Sequence, residues 1–527
     1  MKHSMRKQIF KNLFSNYFVS FLQMVLGVIL VPFLIGKIGK QAFGVIVLAE
    51  STIAFFDLAM ISIRIALSRH VTFSLGEKKY EEFEKYLSSG LGILFLVAVV
   101  VFTGGSVMSY FFDRIFTIPP QFAGQSRFLF FIITIAITAT IPNVVYWSVL
   151  YSKQRFDLIN GSLSTGIILR AVSIFVLFSI LPAQYVSLVT YGFVYLAMKL
   201  TQNLMVYYFH FRVMPDISMR VRNFCWKHAR DILSFGAHSS IARISGLLYN
   251  NVSQILINVF LGAGFNAVYA VSLKFPSLLR NLFLQGTFTL TPTFTDLAAK
   301  KDRERFESLF YTYSKIITIV TAPVCLVLIF MSHTIINLWV GRDFAMAGYL
   351  LQIQVFPLMF SFPTSVFGCI INAYARVKVP SYVTFCLGVL SVVLSLLFLK
   401  VFKWGLFSFA LSAALSNILY TIVFFPWYST RISGLHLKRF WQESLLRPIG
   451  WAMAVFCVIF GLIYHIQSGF QLSWMLAAFL SGACLIYMYG AFHLLLVDKE
   501  KDFVNELLFK KIRVMWEKAG KEWEQEK

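Results

Sequence analysis

LGEKKYEEFEKYL (residues 75–87) and AAKKDRERFESLF (residues 298–310) are two short, charged stretches in a chain that is otherwise strongly apolar. Superposed at an offset of 223 without a gap, they align Lys78 with Lys301, Glu81 with Glu304, Phe83 with Phe306 and Glu84 with Glu307. The same offset aligns Gly39 with Gly262, and an offset of 221 aligns Pro142 with Pro363 and Arg155 with Arg376. Four matches in one loop at one offset indicate an internal repeat, the mark of a chain assembled from two related halves.

The chain has 527 residues, of which 58% are hydrophobic and 13% charged. Soluble proteins carry about 25% charged residues, so the chain reads as a polytopic membrane protein. Its first apolar run, Phe14 to Gly36, is too long for a signal-peptide core and no small-residue cleavage site follows; it is expected to stay as a span. Windows of about 20 apolar residues predict fourteen spans, near 14–36, 43–63, 87–112, 128–151, 162–181, 184–209, 232–261, 267–294, 314–331, 348–374, 380–401, 405–428, 449–466 and 474–496. With this assignment, 34 lysines and arginines fall in the tails and alternate connections on one side and seven on the other. The positive-inside rule then places both termini in the cytoplasm. The net charge of +23 is therefore a topology signal and not the footprint of a nucleic-acid partner.

The expected fold is all-α: two six-helix lobes related by a pseudo-two-fold axis along the membrane normal, plus two extra C-terminal helices. The predicted divisions are an N-lobe over 1–211, a cytoplasmic linker over 212–231, a C-lobe over 232–430, the extra spans over 431–497 and a cytoplasmic amphipathic tail over 498–527. The six cysteines lack metal-ligand spacing, so no disulfide, metal or cofactor is expected.

Polar residues within spans carry the functional information, because lipid makes them costly and drives them inward. In span 1, Asn16, Ser20, Gln23 and Gly27 recur at helical spacing. The 223 offset carries this face onto Ser239, Arg243, Gly246 and Asn250 of span 7, which Gln254 extends. Glu50, Asp57 and Arg64 are seven apart in span 2, and Lys274, Asn281, Gln285 and Pro292 line one face of span 8, with Arg280 about 120° round the helix. Arg64, Arg243, Lys274 and Arg280 outnumber the two acids Glu50 and Asp57. This surplus predicts an aqueous cavity tuned for an anion, with guanidinium forks suited to phosphate. Arg170 is a further intramembrane cation whose facing the sequence leaves open. Tyr17, Tyr249 and Tyr269 lie near the stripes and are candidates for stacking on sugar rings.

Catalytic signatures are absent: there is no GxSxG, HExxH or Walker-type loop, and the connections are too short for a soluble catalytic domain. The chain reads as a transporter and not an enzyme. Either of two cargoes suits the charge pattern in principle. An anionic one matches the surplus cations; a cationic drug would instead use Glu50 and Asp57 as a proton or sodium site.

The basic N-terminal tail leading into Asn16, the stretch VPFLIGKIGKQAFG (31–44), its counterpart INVFLGAGFNAVYA (257–270) and the paired charged loops resemble the bacterial polysaccharide repeat-unit flippases. These Wzx-type O-antigen and exopolysaccharide transporters belong to the multidrug/oligosaccharidyl-lipid/polysaccharide exporter superfamily. The resemblance implies a two-lobed bundle in the bacterial inner membrane, working by alternating access. Its cargo would be an oligosaccharide on undecaprenyl pyrophosphate, moved from the cytoplasmic to the periplasmic leaflet. It also implies that Arg64, Arg243, Lys274 and Arg280 hold the pyrophosphate, that the protein acts as a monomer among membrane lipids, and that it meets polysaccharide polymerase machinery. Span 1 here carries no arginine on its polar face, unlike the lipid II flippase, which weighs against lipid II as the cargo.

Overall fold

In the computed structural model, the described residues are 2–182, 185–215, 223–288, 290–466 and scattered positions from 482 to 501. Helices follow one another: α1 (Lys2–Gly76), α2 (Tyr80–Tyr110), α3 (Phe112–Ile115), α4 (Ala123–Thr140), α5 (Val144–Ser152), α6 (Phe156–Ile180) and α7 (Leu188–Val213). The second half contains α8 (Trp226–Leu247), α9 (Ser253–Leu261), α10 (Ala263–Phe288), α11 (Thr291–Ala299), α12 (Arg303–Phe330), α13 (Ser332–Val340), α14 (Ala345–Val355), α15 (Leu358–Thr364) and α16 (Val366–Ala373). Then come α17 (Lys378–Lys400), α18 (Phe407–Ile418), α19 (Phe425–Ser433), α20 (Leu437–Arg439) and α21 (Arg447–Ile466). No strand occurs among the described residues. An all-α chain is what lipid demands, since only intra-helical hydrogen bonding satisfies a backbone that water cannot reach.

Eight helical stretches among the described residues are long and apolar enough to cross a membrane. One of them, Phe14–Gly76, covers both of the first two expected spans. It is divided at Gly39, whose φ of 83° and ψ of 164° are non-helical. Most of expected span 14 and almost all of the tail from 498 lie outside the described residues. Span 8 is shorter than expected: α10 closes at Phe288, and Pro292 opens the separate helix α11. A proline is tolerated in a first helical turn, where its missing N–H costs nothing. Pro292 therefore does not continue the face of Lys274, contrary to the expectation above.

The backbone carries the internal repeat more sharply than the side chains do. Gly39 and Gly262 both take positive φ, 83° and 94°, at the start of the second helix of each half. Lys78 and Lys301 are left-handed at 59° and 55°. Each follows the same set of hydrogen bonds: Glu77, Lys78 and Lys79 donate to the carbonyls of Phe73, Leu75 and Ser74, as Lys300, Lys301 and Asp302 do to Asp296, Ala298 and Leu297. At the offset of 221, Gln154 and Ala375 are likewise left-handed, and the bonds from residues 153–155 recur at residues 374–376. Helix ends closed by crossed backbone bonds around a left-handed residue satisfy carbonyls that would otherwise be orphaned. Pro142 and Pro363 both lie at breaks, between α4 and α5 and at the end of α15, because proline removes a helical bond and crowds the preceding turn.

By compactness the chain falls into two units. The first comprises residues 1–282, 333–354 and 378–416, and the second 283–332, 355–377 and 417–527. In the first unit, α7 packs along α4 and α6; Asn203 and Thr140 join two of these helices at 3.1 Å, and Asn143 donates to the carbonyl of Asn203 at 2.7 Å. In the second unit, Phe306, Phe310, Phe367, Phe425 and Phe440 form one buried aromatic core. Lys315 of α12 is buried there and reaches both carboxylate oxygens of Glu500 at 2.9 and 2.8 Å.

Candidate functional site

The second segment of α1, after Gly39, meets elements of the second half near both its ends. At one end Gly44 lies so close to Ala263 that a Cβ there would stand 1.8 Å from the Ala263 carbonyl oxygen. Asn266 also donates to the carbonyl of Gly44 at 3.3 Å. At the other end a Cβ on Gly236 would lie 3.2 Å from the carbonyl oxygen of Ser62, and the Arg69 guanidinium sits 4.4 Å from the Phe235 ring centre. Between these seams are Glu50 and Asp57.

Glu50 accepts hydrogen bonds from Arg170 of α6 at 2.8 Å and from the Tyr191 hydroxyl of α7 at 2.7 Å. Arg170 also contacts the Tyr191 hydroxyl and lies 5.3 and 5.6 Å from the ring centres of Tyr191 and Tyr195. The ion pair is thus held on an aromatic platform, which adds cation–π attraction to the charge. The facing of Arg170, open in the sequence, is settled: it is the counter-ion of Glu50. Asp57 keeps one carboxylate oxygen buried without a hydrogen-bond partner among the described residues, within electrostatic range of Lys199 and Arg64. Arg64 lies over the Trp147 ring at 4.7 Å.

Lys274 of α10 comes to the same place from the second half. A Cβ on Gly27 would stand 2.7 Å from its Nζ, so the glycine of the span 1 stripe is the recess that admits the lysine. Glu50 and Arg170 are its electrostatic neighbours. The cluster therefore holds Arg64, Arg170, Lys199 and Lys274 against Glu50 and Asp57, two cations in excess. Sequence reading missed Lys199, Tyr191 and Tyr195. Their spacing of four residues on α7 places them on one helical face, a signal that was present but unused.

The remaining expected site residues are dispersed. Asn16 is tied to α6, its Oδ1 accepting from Asn160 at 2.6 Å, so it braces two helices. Gln23 and Asn281 are exposed and Arg280 is half-buried on α10. Gln254 is buried and its Oε1 has no partner among the described residues. The side chains of Arg243, Asn250 and Gln285 lie outside those described. Tyr269 is fully buried and is core packing, not a platform for sugar.

The polysaccharide biosynthesis protein family matches residues 9–298, more than half of the chain. The chain belongs to this family. The lipid II flippase MurJ family matches residues 257–377 and 292–485. Among curated proteins, the membrane protein EpsK of Bacillus subtilis is 22% identical over 93% of this chain and 95% of its own length. A probable low-salt glycan biosynthesis flippase of Haloferax volcanii, Agl15, is 21% identical over 48% of this chain and 52% of its own. Among solved structures, the lipid II flippase MurJ in an inward closed conformation superposes with a TM-score of 0.67 at 16% identity, covering 92% of this chain and 98% of that one. This polysaccharide biosynthesis family member thus shares its fold with the lipid II flippase MurJ, and the Haloferax relative is itself named as a probable flippase.

Proposed function

We propose that the chain is a flippase that moves undecaprenyl-pyrophosphate-linked oligosaccharide repeat units from the cytoplasmic to the periplasmic leaflet. The observation that carries this reading is the intramembrane cluster with two cations in excess, at a depth where unpaired charge is kept only for function. A doubly charged phosphate anion supplies the missing balance. Membership of the polysaccharide biosynthesis family and the flippase relatives support the class of cargo.

In this reading the two repeat halves are the two lobes of an inner-membrane transporter with both termini in the cytoplasm. Alternating access comes from the halves rocking about the seams at Gly44–Ala263 and Ser62–Gly236. Glu50 is neutralised by Arg170 and sets the shape of the site, while Asp57 is the acid open to a coupling proton or sodium ion. The membrane potential also acts on the anionic cargo directly.

The test is glycan export in cells lacking their own flippase. Neutralising Lys199 and Lys274 together is expected to abolish export at unchanged protein level, and normal export in that double variant would overturn the reading.

A further inference from the structure

Pro32 stands inside α1, and a proline has no N–H to give to the carbonyl four residues before it. In α1 that carbonyl belongs to Val28. Its donor comes from far along the chain: the indole Nε1 of Trp339, on α13, donates to the Val28 carbonyl at 2.9 Å. An indole N–H is a donor without an acceptor of its own, and in lipid a carbonyl freed by proline is satisfied by a neighbouring helix because no water is there to do it.

The same indole also touches α10, its ring meeting Phe275 edge to face with the centres 4.9 Å apart. Val28 and Phe275 are the chain neighbours of Gly27 and Lys274, the two residues whose close approach brings the lysine to the cluster. One side chain therefore holds α1 by a hydrogen bond and α10 by a ring contact, a single residue away from that approach on each helix. The chain just after α13 is tied to α1 as well, on the other side of Pro32: Lys40 Nζ donates to the Asp343 carbonyl at 2.8 Å and lies 5.0 Å from the Phe344 ring centre. At the repeat offset of 223, Trp339 corresponds to Phe116 and Pro32 to Ile255. Indole and proline are thus present together in one arrangement and absent together from its mate, as expected if each is there for the other.

We propose that Trp339 is a positioning residue of the transport site: it fixes α1 and α10 to each other at the level of Lys274, using the acceptor that Pro32 leaves free. This rests on the function proposed above, in which Lys274 belongs to the site, and adds a residue that does not touch the cargo. Lys274 carries its charge on a flexible four-carbon stem and enters over Gly27, which has no side chain to steer it. Fixing the two backbones beside it gives the ammonium a constant origin. Any donor would satisfy the Val28 carbonyl; what the indole adds is its second attachment, on Phe275.

The test reads helix placement, export and stability separately in the full-length protein. Placement is read by joining the G27C/K274C pair with a short bifunctional thiol reagent and quantifying the linked peptides. W339F keeps a ring beside Phe275 but loses the N–H. It is expected to lower both the linking yield and, with Gly27 and Lys274 intact, glycan export by about fivefold, the scale of one hydrogen bond. Its unfolding temperature should also fall, since the Val28 carbonyl loses its donor. Adding P32A restores an N–H at position 32, so W339F/P32A should regain thermal stability while linking and export stay low. Recovery of export along with stability would mean that Trp339 merely satisfies a carbonyl, and overturns the inference. Undiminished linking in W339F overturns it too and leaves the proposed function standing. Reduced linking with normal export would make the placement of Lys274 immaterial and overturn the proposed site together with the inference. W404F removes an indole that packs on Phe398 and Phe402 instead and should match the unaltered protein; losses there equal to those of W339F would also overturn the inference.

Discussion

Arg170 and Glu50, brought together from α6 and α1, form an intramembrane ion pair at 2.8 Å that is closed by the hydroxyl of Tyr191. Removing one member strands the other. R170L and E50Q are each expected to lower stability in detergent by about 1.5–3 kcal/mol, the scale of a hydrogen bond to a charged group. The double variant should lose less than the sum of the two, as coupled partners do. Thermal unfolding of the three variants measures this; additive losses would show the pair to be uncoupled.

Gly27 should matter for transport more than for folding. G27L replaces the recess under Lys274 with a branched side chain whose Cβ alone would lie 2.7 Å from the ammonium. The flexible lysine can swing away, so stability should change by less than about 1 kcal/mol, as for a tolerated overpacking. Glycan export should fall severalfold. Unaltered export by a well-expressed G27L protein would show that the position of Lys274 is immaterial.

The repeat makes a paired prediction about backbone strain. Gly39 and Gly262 combine positive φ with extended ψ, a region costing other residues about 1–3 kcal/mol. G39A and G262A should each destabilise by that amount although no atom crowds a Cβ at Gly39. Conversely, K78G and K301G relieve a left-handed lysine and should stabilise by up to about 1 kcal/mol. Denaturation midpoints of the four variants check the signs.

Lys315 and Glu500 test how a residue of the chain's C-terminal region is held. Both are largely buried, at 8% and 15% side-chain exposure, so charge is removed from water on each side of the contact. E500A should cost about 3–5 kcal/mol, the usual penalty for stranding a buried ion. K315M combined with E500Q should recover most of it. Equal instability of the double variant would mean that packing, not charge, holds the contact.

His228 links two parts of the first unit in a way that depends on pH. It meets the Tyr86 ring edge-on at 4.4 Å, Tyr86 stacks on His70 at 4.8 Å, and Tyr86 donates to Asp231 at 3.4 Å. Burial lowers the His228 pKa; Asp231 and Glu82 oppose this, and Lys85 and Lys227 reinforce it, with Arg69 further along α1 beside His70. A lowered imidazole means that the packed form disfavours the proton. The contact is therefore expected to hold above about pH 6.5, the ordinary imidazole value, and to loosen as pH falls below it. Ser89 and Cys225 report on it, because the Ser89 hydroxyl donates to the Cys225 carbonyl at 3.1 Å. In S89C the yield of disulfide to Cys225 should drop on acidification, and H228Q should remove that dependence.

Much of the architecture was legible from the chain because membrane constraints act locally. Apolar runs had to be helices, and the charged loops at 75–87 and 298–310 identified the halves before any backbone was seen. The left-handed residues Lys78 and Lys301, and Gln154 and Ala375, occur at the offsets read from side chains alone. Span 8 was misread at Pro292 because hydropathy continues through Thr291–Ala299 while the helix does not. At the site, Lys274, Glu50, Asp57 and Arg64 were found because a charge in a span is conspicuous on its own. Lys199 is less conspicuous in a tyrosine-rich helix, and Asn16, expected on the polar stripe of span 1, accepts a hydrogen bond from Asn160. No local pattern distinguishes a polar residue that braces two helices from one that faces a substrate.

The sequence by itself determined the all-helical membrane fold, the two-fold repeat and the excess of cations within the spans, since each follows from hydropathy, periodicity and the cost of charge in lipid. Only the tertiary structure decided which cations are already neutralised. Pairing is a matter of a few ångströms between helices distant in the chain: Arg170 reaches Glu50 across 120 residues, while Lys274 passes over Gly27 and makes no ion pair among the described residues. Coulomb attraction at contact distance, and not composition, decides which charges in the spans are paired.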